Sequence, residues 1–163
     1  LKNRGVEPRE VTVLTTVRDP LDHVVSIYHY WRQRGKPECE HVQAAKRLSF
    51  DQFVRFYVSS PIPDCRVYDE LLFIDGGLPA NAKPLRLEHW QNDLAGLGFP
   101  WASTIEPPRE NTSQHGAAAR YHGPETTRLV RERYAWAYEA GLYREPSKGW
   151  PEYASSVPIV TPD

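Results

Sequence analysis

Methionine is absent and cysteine is scarce, with two residues in 163. A chain that opens on Leu1 and contains no methionine is expected to be a fragment of a longer protein. Cys39 and Cys65 do not define an oxidising compartment, and both a disulfide and free thiols stay open for them. Cys39-Glu40-His41 holds two zinc-ligand types, but no second Cys/His pair follows at finger-like spacing, so no metal site is expected. Neither charge sign dominates: a formal net charge of −1 and a pI near 6.7 argue against a nucleic-acid groove, which would show as clustered Lys and Arg. No run approaches the roughly 20 apolar residues of a membrane span, and the opening residues lack the apolar core of a signal peptide. What remains, 40% hydrophobic and 25% charged residues, is ordinary globular composition at the size of one domain.

The most informative stretch is Val17-Arg18-Asp19-Pro20, with Ser26 eight residues after the arginine. Val11, Val13, Thr15 and Val17 alternate with Thr12, Leu14 and Thr16, which reads as a mostly buried strand of a parallel sheet. Asp19 suits a helix N-cap and Pro20 the first helical position. Leu21, Val24, Val25, Tyr28 and Trp31 then mark one apolar helix face. In open α/β sheets ligands collect beyond the carboxyl ends of strands, which places Arg18 where a ligand is met. Its guanidinium fork matches two phosphate oxygens, and Ser26 adds a hydroxyl from the flank outside the apolar stripe. An arginine paired with a carboxylate and a water-facing serine is the alternative that the isolated pair leaves open.

Further along, helices are expected over Glu40 to Leu48, Phe50 to Val58 with Ser49 as cap, and Trp90 to Leu97. Tyr68 to Ile74 fits either a helix or a strand and is read as a helix. Lys83 to Glu88 alternates as a strand. Gly98 to Gly123 is loop-rich, a type of segment that usually covers a site or is disordered, and its Arg109, His115 and Arg120 read as solvated loop charges, with contact to a nucleotide or glycan as the alternative. One long last helix is expected from Gly123-Pro124, with Val130, Tyr134, Ala137, Tyr138 and Gly141 on one face. Its Arg128 and Arg131 read as a solvated face, and Tyr28, Tyr30, Trp31, Tyr134 and Trp136 read as core. Residues 1–145 form the expected domain, and 146–163, with Pro151, Pro158 and Pro162, a loosely held tail.

With these residues in view, the sequence resembles the sulfotransferases that use 3′-phosphoadenylyl sulfate, particularly the carbohydrate sulfotransferase branch. Two segments carry the likeness. Thr16 to Tyr30 looks like the family's 3′-phosphate segment, an Arg-Asp-Pro followed by a helix with a serine and then aromatics. Leu85-Arg-Leu-Glu88, Asn111-Thr-Ser113, Pro124-Glu-Thr, Val130 to Tyr134 and Gly141-Leu-Tyr143 follow in the family's order. The resemblance implies an α/β fold with a P-loop-NTPase-like parallel sheet flanked by helices, incomplete at its N-terminus. It also implies Arg18 and Ser26 as ligands of the nucleotide 3′-phosphate. Glu88 and Asn111 match the pattern and are read as scaffold.

The departure is the family's Gly/Thr loop for the phosphosulfate end. The ten glycines are scattered, so this loop, its basic residue and the usual catalytic base are expected before Leu1. The catalytic residues are therefore unknown, and residues 1–163 alone are expected to be inactive. For the whole protein the resemblance implies sulfuryl transfer from 3′-phosphoadenylyl sulfate to an acceptor hydroxyl, expected on a glycan. No metal and no nucleic acid would be involved, and membrane attachment would come only through a missing N-terminal anchor. The compartment would be the Golgi lumen in a eukaryote and the cytoplasm in a bacterium. Asn111-Thr-Ser113 also fits N-glycosylation, which matters only in a secretory lumen. A non-catalytic module of the same fold is the alternative, and a P-loop kinase a more distant one.

Overall fold

The computed structural model describes residues 12–60, 79–98, 101, 104–106 and 114–144. The chain is mixed α/β and divides into two compact units, one of Leu1–Asp19 with Arg66–Glu110, the other of Pro20–Cys65 with Asn111–Asp163. Tyr68 to Ile74, Cys65, Gly76-Gly77, Arg109, Asn111 and the tail from residue 146 lie outside the described residues.

Among the described residues the first unit is built on a two-stranded parallel sheet, β1 (Val13–Val17) and β2 (Ala82–Arg86), in a register that sets Val13 against Ala82 and Val17 against Arg86. The parallel pairing expected of this strand is present, but its burial is not as expected. Only Val17 is buried, whereas Val13 and Leu14 are 46% and 38% exposed. Parallel strands are buried when both sheet faces are covered, and the start of β1 is not. The second strand ends at Arg86 instead of running on to Glu88. The Asp93 carboxylate accepts the Arg86 backbone N–H at 2.8 Å, and Leu87–His89 turns as a single 3₁₀ turn. α4 (Trp90–Gly96) follows and buries Leu94 against Leu85, with Trp90 and Leu97 packed beside them. It stops at Gly98, whose φ of +73° closes the end with an N–H bond to the Ala95 carbonyl.

The second unit packs helices on α1 (Pro20–Arg34), which buries Leu21, Val24, Val25, Tyr28 and Trp31, the stripe its spacing predicts. α2 (Glu40–Arg47) contributes His41, Val42 and Ala45, and α3 (Phe50–Ser59) contributes Phe53, Val54 and Tyr57. Ser49 caps α3 as expected and does so within a capping box: its hydroxyl takes the Gln52 N–H, and the Gln52 side chain takes the Ser49 N–H. Phe53 is fully buried, with its ring 5.0 Å from Tyr28, 5.9 Å from Trp31 and 5.8 Å from Tyr57.

The expected long last helix is broken. α5 (Pro124–Arg133) and α6 (Ala135–Glu139) meet at Tyr134, whose φ of −110° and ψ of 26° leave the helical region. Tyr134 is buried, and its hydroxyl lies 3.1 Å from that of Tyr57. The break occurs where an interior phenol is tied to α3. Gly141 is likewise not part of the apolar face. It is exposed at φ +69° and forms a Schellman close, with Leu142 N–H on the Ala137 carbonyl and Gly141 N–H on that of Tyr138. Tyr28, Trp31, Tyr134 and Trp136 are core, as expected, while Tyr30 is half-buried.

Phe53→Ala should cost about 3–5 kcal/mol of stability, the usual penalty for emptying a well-packed aromatic site. Ser49→Ala should cost about 1 kcal/mol through the lost cap. Urea unfolding of the two variants checks both values, and a Phe53→Ala loss no larger than the cap's would contradict the packing described.

Candidate anion-binding site

Arg18 directly follows the carboxyl end of β1, as the reading of its sequence requires. Its side chain is 25% exposed, and its Nε stands 3.9 Å from Glu88 Oε1. The same Glu88 oxygen accepts the backbone N–H of Asp19 at 2.9 Å. One carboxylate, brought in from the turn after β2, therefore faces both residues at the end of β1. At 3.9 Å the charge pair is long and partly solvated, a class of contact with a small net effect. The bond to the amide is short and charge-assisted, and so the stronger of the two.

The second strand also ends on an arginine, with a different fate. Arg86 grips Asp93 with two side-chain bonds, Nη2 to Oδ1 at 2.6 Å and Nε to Oδ2 at 3.0 Å. Those bonds hold the Asp93 carboxyl below its ordinary value, against the opposing effect of burial. Arg86 is a structural arginine, whereas the contact of Arg18 with Glu88 is long, at 3.9 Å.

Ser26 lies on α1, half-buried and off the apolar stripe, as its spacing predicts. Arg18 belongs to the sheet unit and Ser26 to the helical unit, so each is placed within its own unit. Of the other candidates, His115 stacks on His29 with ring centres 5.6 Å apart, and its Nδ1 lies 2.8 Å from the Gly116 carbonyl oxygen. Arg120 runs alongside Gly116. Arg128 is held by Glu125 and Glu132 on an exposed surface, which is the solvated face expected of it. His41 packs against Trp31, with rings 4.4 Å apart. Among the described residues no three His, Cys, Asp or Glu side chains come together as a metal site, and no helix is long and apolar enough to cross a membrane.

Two features were not legible in the sequence. Glu88 matches a scaffold position at a strand end, and nothing in its local pattern announces its bond to Asp19, 69 positions earlier. His122 is the other: it is buried and aligned with the Leu21 carbonyl through Nε2 at 3.0 Å. That geometry puts the proton on Nε2, donating to Leu21, and leaves Nδ1 buried without a partner. Burial pushes the His122 ring below its ordinary value of 6.5, outweighing the Leu21 bond and the charges of Asp51 and Asp22. His29 moves the same way, first through burial and then through His115 and Arg32.

No protein-family model, curated protein or solved structure matches the chain.

Because both histidines bind a proton less readily when folded, the unfolded chain holds more protons below pH 6.5. Stability should thus be independent of these groups at high pH. It should fall as the pH drops through 6.5 and level off below the folded values. Urea unfolding at steps between pH 7.5 and 5.5 checks this. His122→Gln should lower stability overall yet flatten the pH dependence, and an unchanged slope would remove His122 from its cause.

Proposed function

We propose that this chain carries the 3′-phosphate-binding part of a sulfotransferase, in which Arg18 and Ser26 hold the far end of 3′-phosphoadenylyl sulfate. The observation that carries the reading is the position of Arg18. It stands immediately after the carboxyl end of a parallel strand, with its side chain 25% exposed and its Nε 3.9 Å from the Glu88 carboxylate. A guanidinium there reads two phosphate oxygens at once. On this reading the two-stranded sheet is part of a larger P-loop-NTPase-like sheet, and the half of the donor site for the phosphosulfate lies elsewhere in the whole protein.

The reaction is an in-line displacement at sulfur: the acceptor hydroxyl oxygen forms a bond to sulfur as the bond to the nucleotide's 5′-phosphate oxygen breaks. The hydroxyl proton is lost to a base, and adenosine 3′,5′-bisphosphate departs. Such a transfer resembles phosphoryl transfer, in which positioning and stabilisation of charge on the leaving group dominate. Arg18 and Ser26 anchor the nucleotide and so set where the sulfur lies without touching it. The acceptor is proposed to be a glycan hydroxyl, with no metal taking part.

The contact between Arg18 and Glu88 also favours a second reading, a non-catalytic module in which Arg18 is one half of a structural ion pair. Binding of adenosine 3′,5′-bisphosphate by the full-length protein, followed by calorimetry, separates the two. Arg18→Ala should weaken binding by about 1.5–3 kcal/mol, the value of a charged hydrogen bond, and Ser26→Ala by about 0.5–1.5 kcal/mol. Unchanged affinity on loss of Arg18 would sink the transferase reading and leave the module.

A further inference from the structure

We infer that Glu88 is a positioning residue for the anion site, holding Arg18 and the Asp19 amide in the arrangement that receives a phosphate. The inference rests on the nucleotide-binding reading above and assigns a role to a residue on another segment.

Three facts converge on it. Glu88 Oε1 takes the Asp19 N–H at 2.9 Å, which pins the backbone immediately after Arg18. The same atom lies 3.9 Å from Arg18 Nε, the guanidinium nitrogen nearest the chain, so the carboxylate addresses the side chain from its root. Glu88 sits in the turn Leu87–His89, which directly follows Arg86, a residue fastened to Asp93 through its backbone N–H, Nε and Nη2. That turn presents one oxygen to both a backbone amide and an arginine.

The consequence for binding has two opposed parts. A carboxylate near a phosphate repels it, but with side chains 25% and 31% exposed that repulsion is screened by water and salt. Against it stands the fixing of the backbone that carries Arg18, which the Asp19 N–H bond holds in place before a phosphate arrives. The backbone effect is the larger, because the amide bond is short and charge-assisted while the charges at the surface are screened. Loss of Glu88 should therefore weaken phosphate binding even though it removes a negative charge.

The test is a cycle of Glu88→Ala, Glu88→Gln, Arg18→Ala and Arg18→Ala/Glu88→Ala in the full-length protein. Binding of adenosine 3′,5′-bisphosphate is read by calorimetry, at low and at physiological salt. Glu88→Ala should weaken binding roughly 3- to 10-fold. Glu88→Gln, whose amide oxygen still accepts the Asp19 N–H, should restore most of that loss. In the Arg18→Ala background the Glu88→Ala effect should shrink, since the residue acts through Arg18. Tighter binding in either variant would show an acidic competitor, and equal weakening in both would show that the bond to the Asp19 N–H is not what matters; either result overturns the inference. An undiminished Glu88→Ala loss in the Arg18→Ala background would show general destabilisation and overturn it as well. If Arg18→Ala alone leaves affinity unchanged, the nucleotide reading itself fails. If Arg18→Ala weakens binding and Glu88→Ala does not, only the role of Glu88 fails.

Discussion

One face of α1 has to be buried, and the helical unit is organised around that requirement. Leu21, Val24, Val25, Tyr28 and Trp31 are all removed from water, and α2, α3 and α5 supply the surfaces that do it. Five side chains of this size represent an apolar transfer of about 1.5–3 kcal/mol each before entropy is charged against it, more than any single polar contact in the unit contributes. The aromatic rings of Tyr28, Trp31, Phe53 and Tyr57 interlock at that seam. The polar atoms buried alongside them then have to be accommodated. Tyr57 and Tyr134 pair their hydroxyls, with His23 3.4 Å from Tyr57, and His122 turns its Nε2 to a carbonyl of α1.

The sheet unit follows different physics. Among the described residues Val17, Leu85 and Leu94 are buried, with Trp90 and Leu97 packed beside the latter two, and large hydrophobic side chains at Val13, Leu14, Leu87, Trp101 and Ile105 stay substantially exposed. Polar bonds order the ends of its strands. Asp93 gathers three bonds from Arg86, and Glu88 reaches from its turn to the end of β1. The same economy places a basic group, an amide and a carboxylate together at a strand terminus, and the proposed function depends on that placement.

Much of this was legible from residues alone. The stripe on α1, Ser49 as cap, Pro124 at the first turn of α5 and the parallel strand ending at Val17 all follow from local spacing and local chemistry. The misreadings were of another kind. The start of β1 has the β-branched composition of a buried strand but is not covered. Leu87 and Glu88 continue the alternation of Leu85 and Arg86, yet Asp93 ends the strand before them. Tyr134 and Gly141 fit a helical period that the chain abandons at Tyr134. In each case a partner distant along the chain, or the lack of one, overrode a sound local pattern.

For the candidate site the division is sharper. The presence of an arginine at a strand end, a proline-started helix after it and a serine off its apolar face is determined by sequence, because each depends on neighbours within a few residues. That Glu88 holds the Asp19 amide, that Arg86 is consumed by Asp93, and that His122 is buried with one ring nitrogen unsatisfied were decided only by the tertiary structure. Those outcomes depend on desolvation and on which side chains meet across tens of residues, and local periodicity carries no record of either.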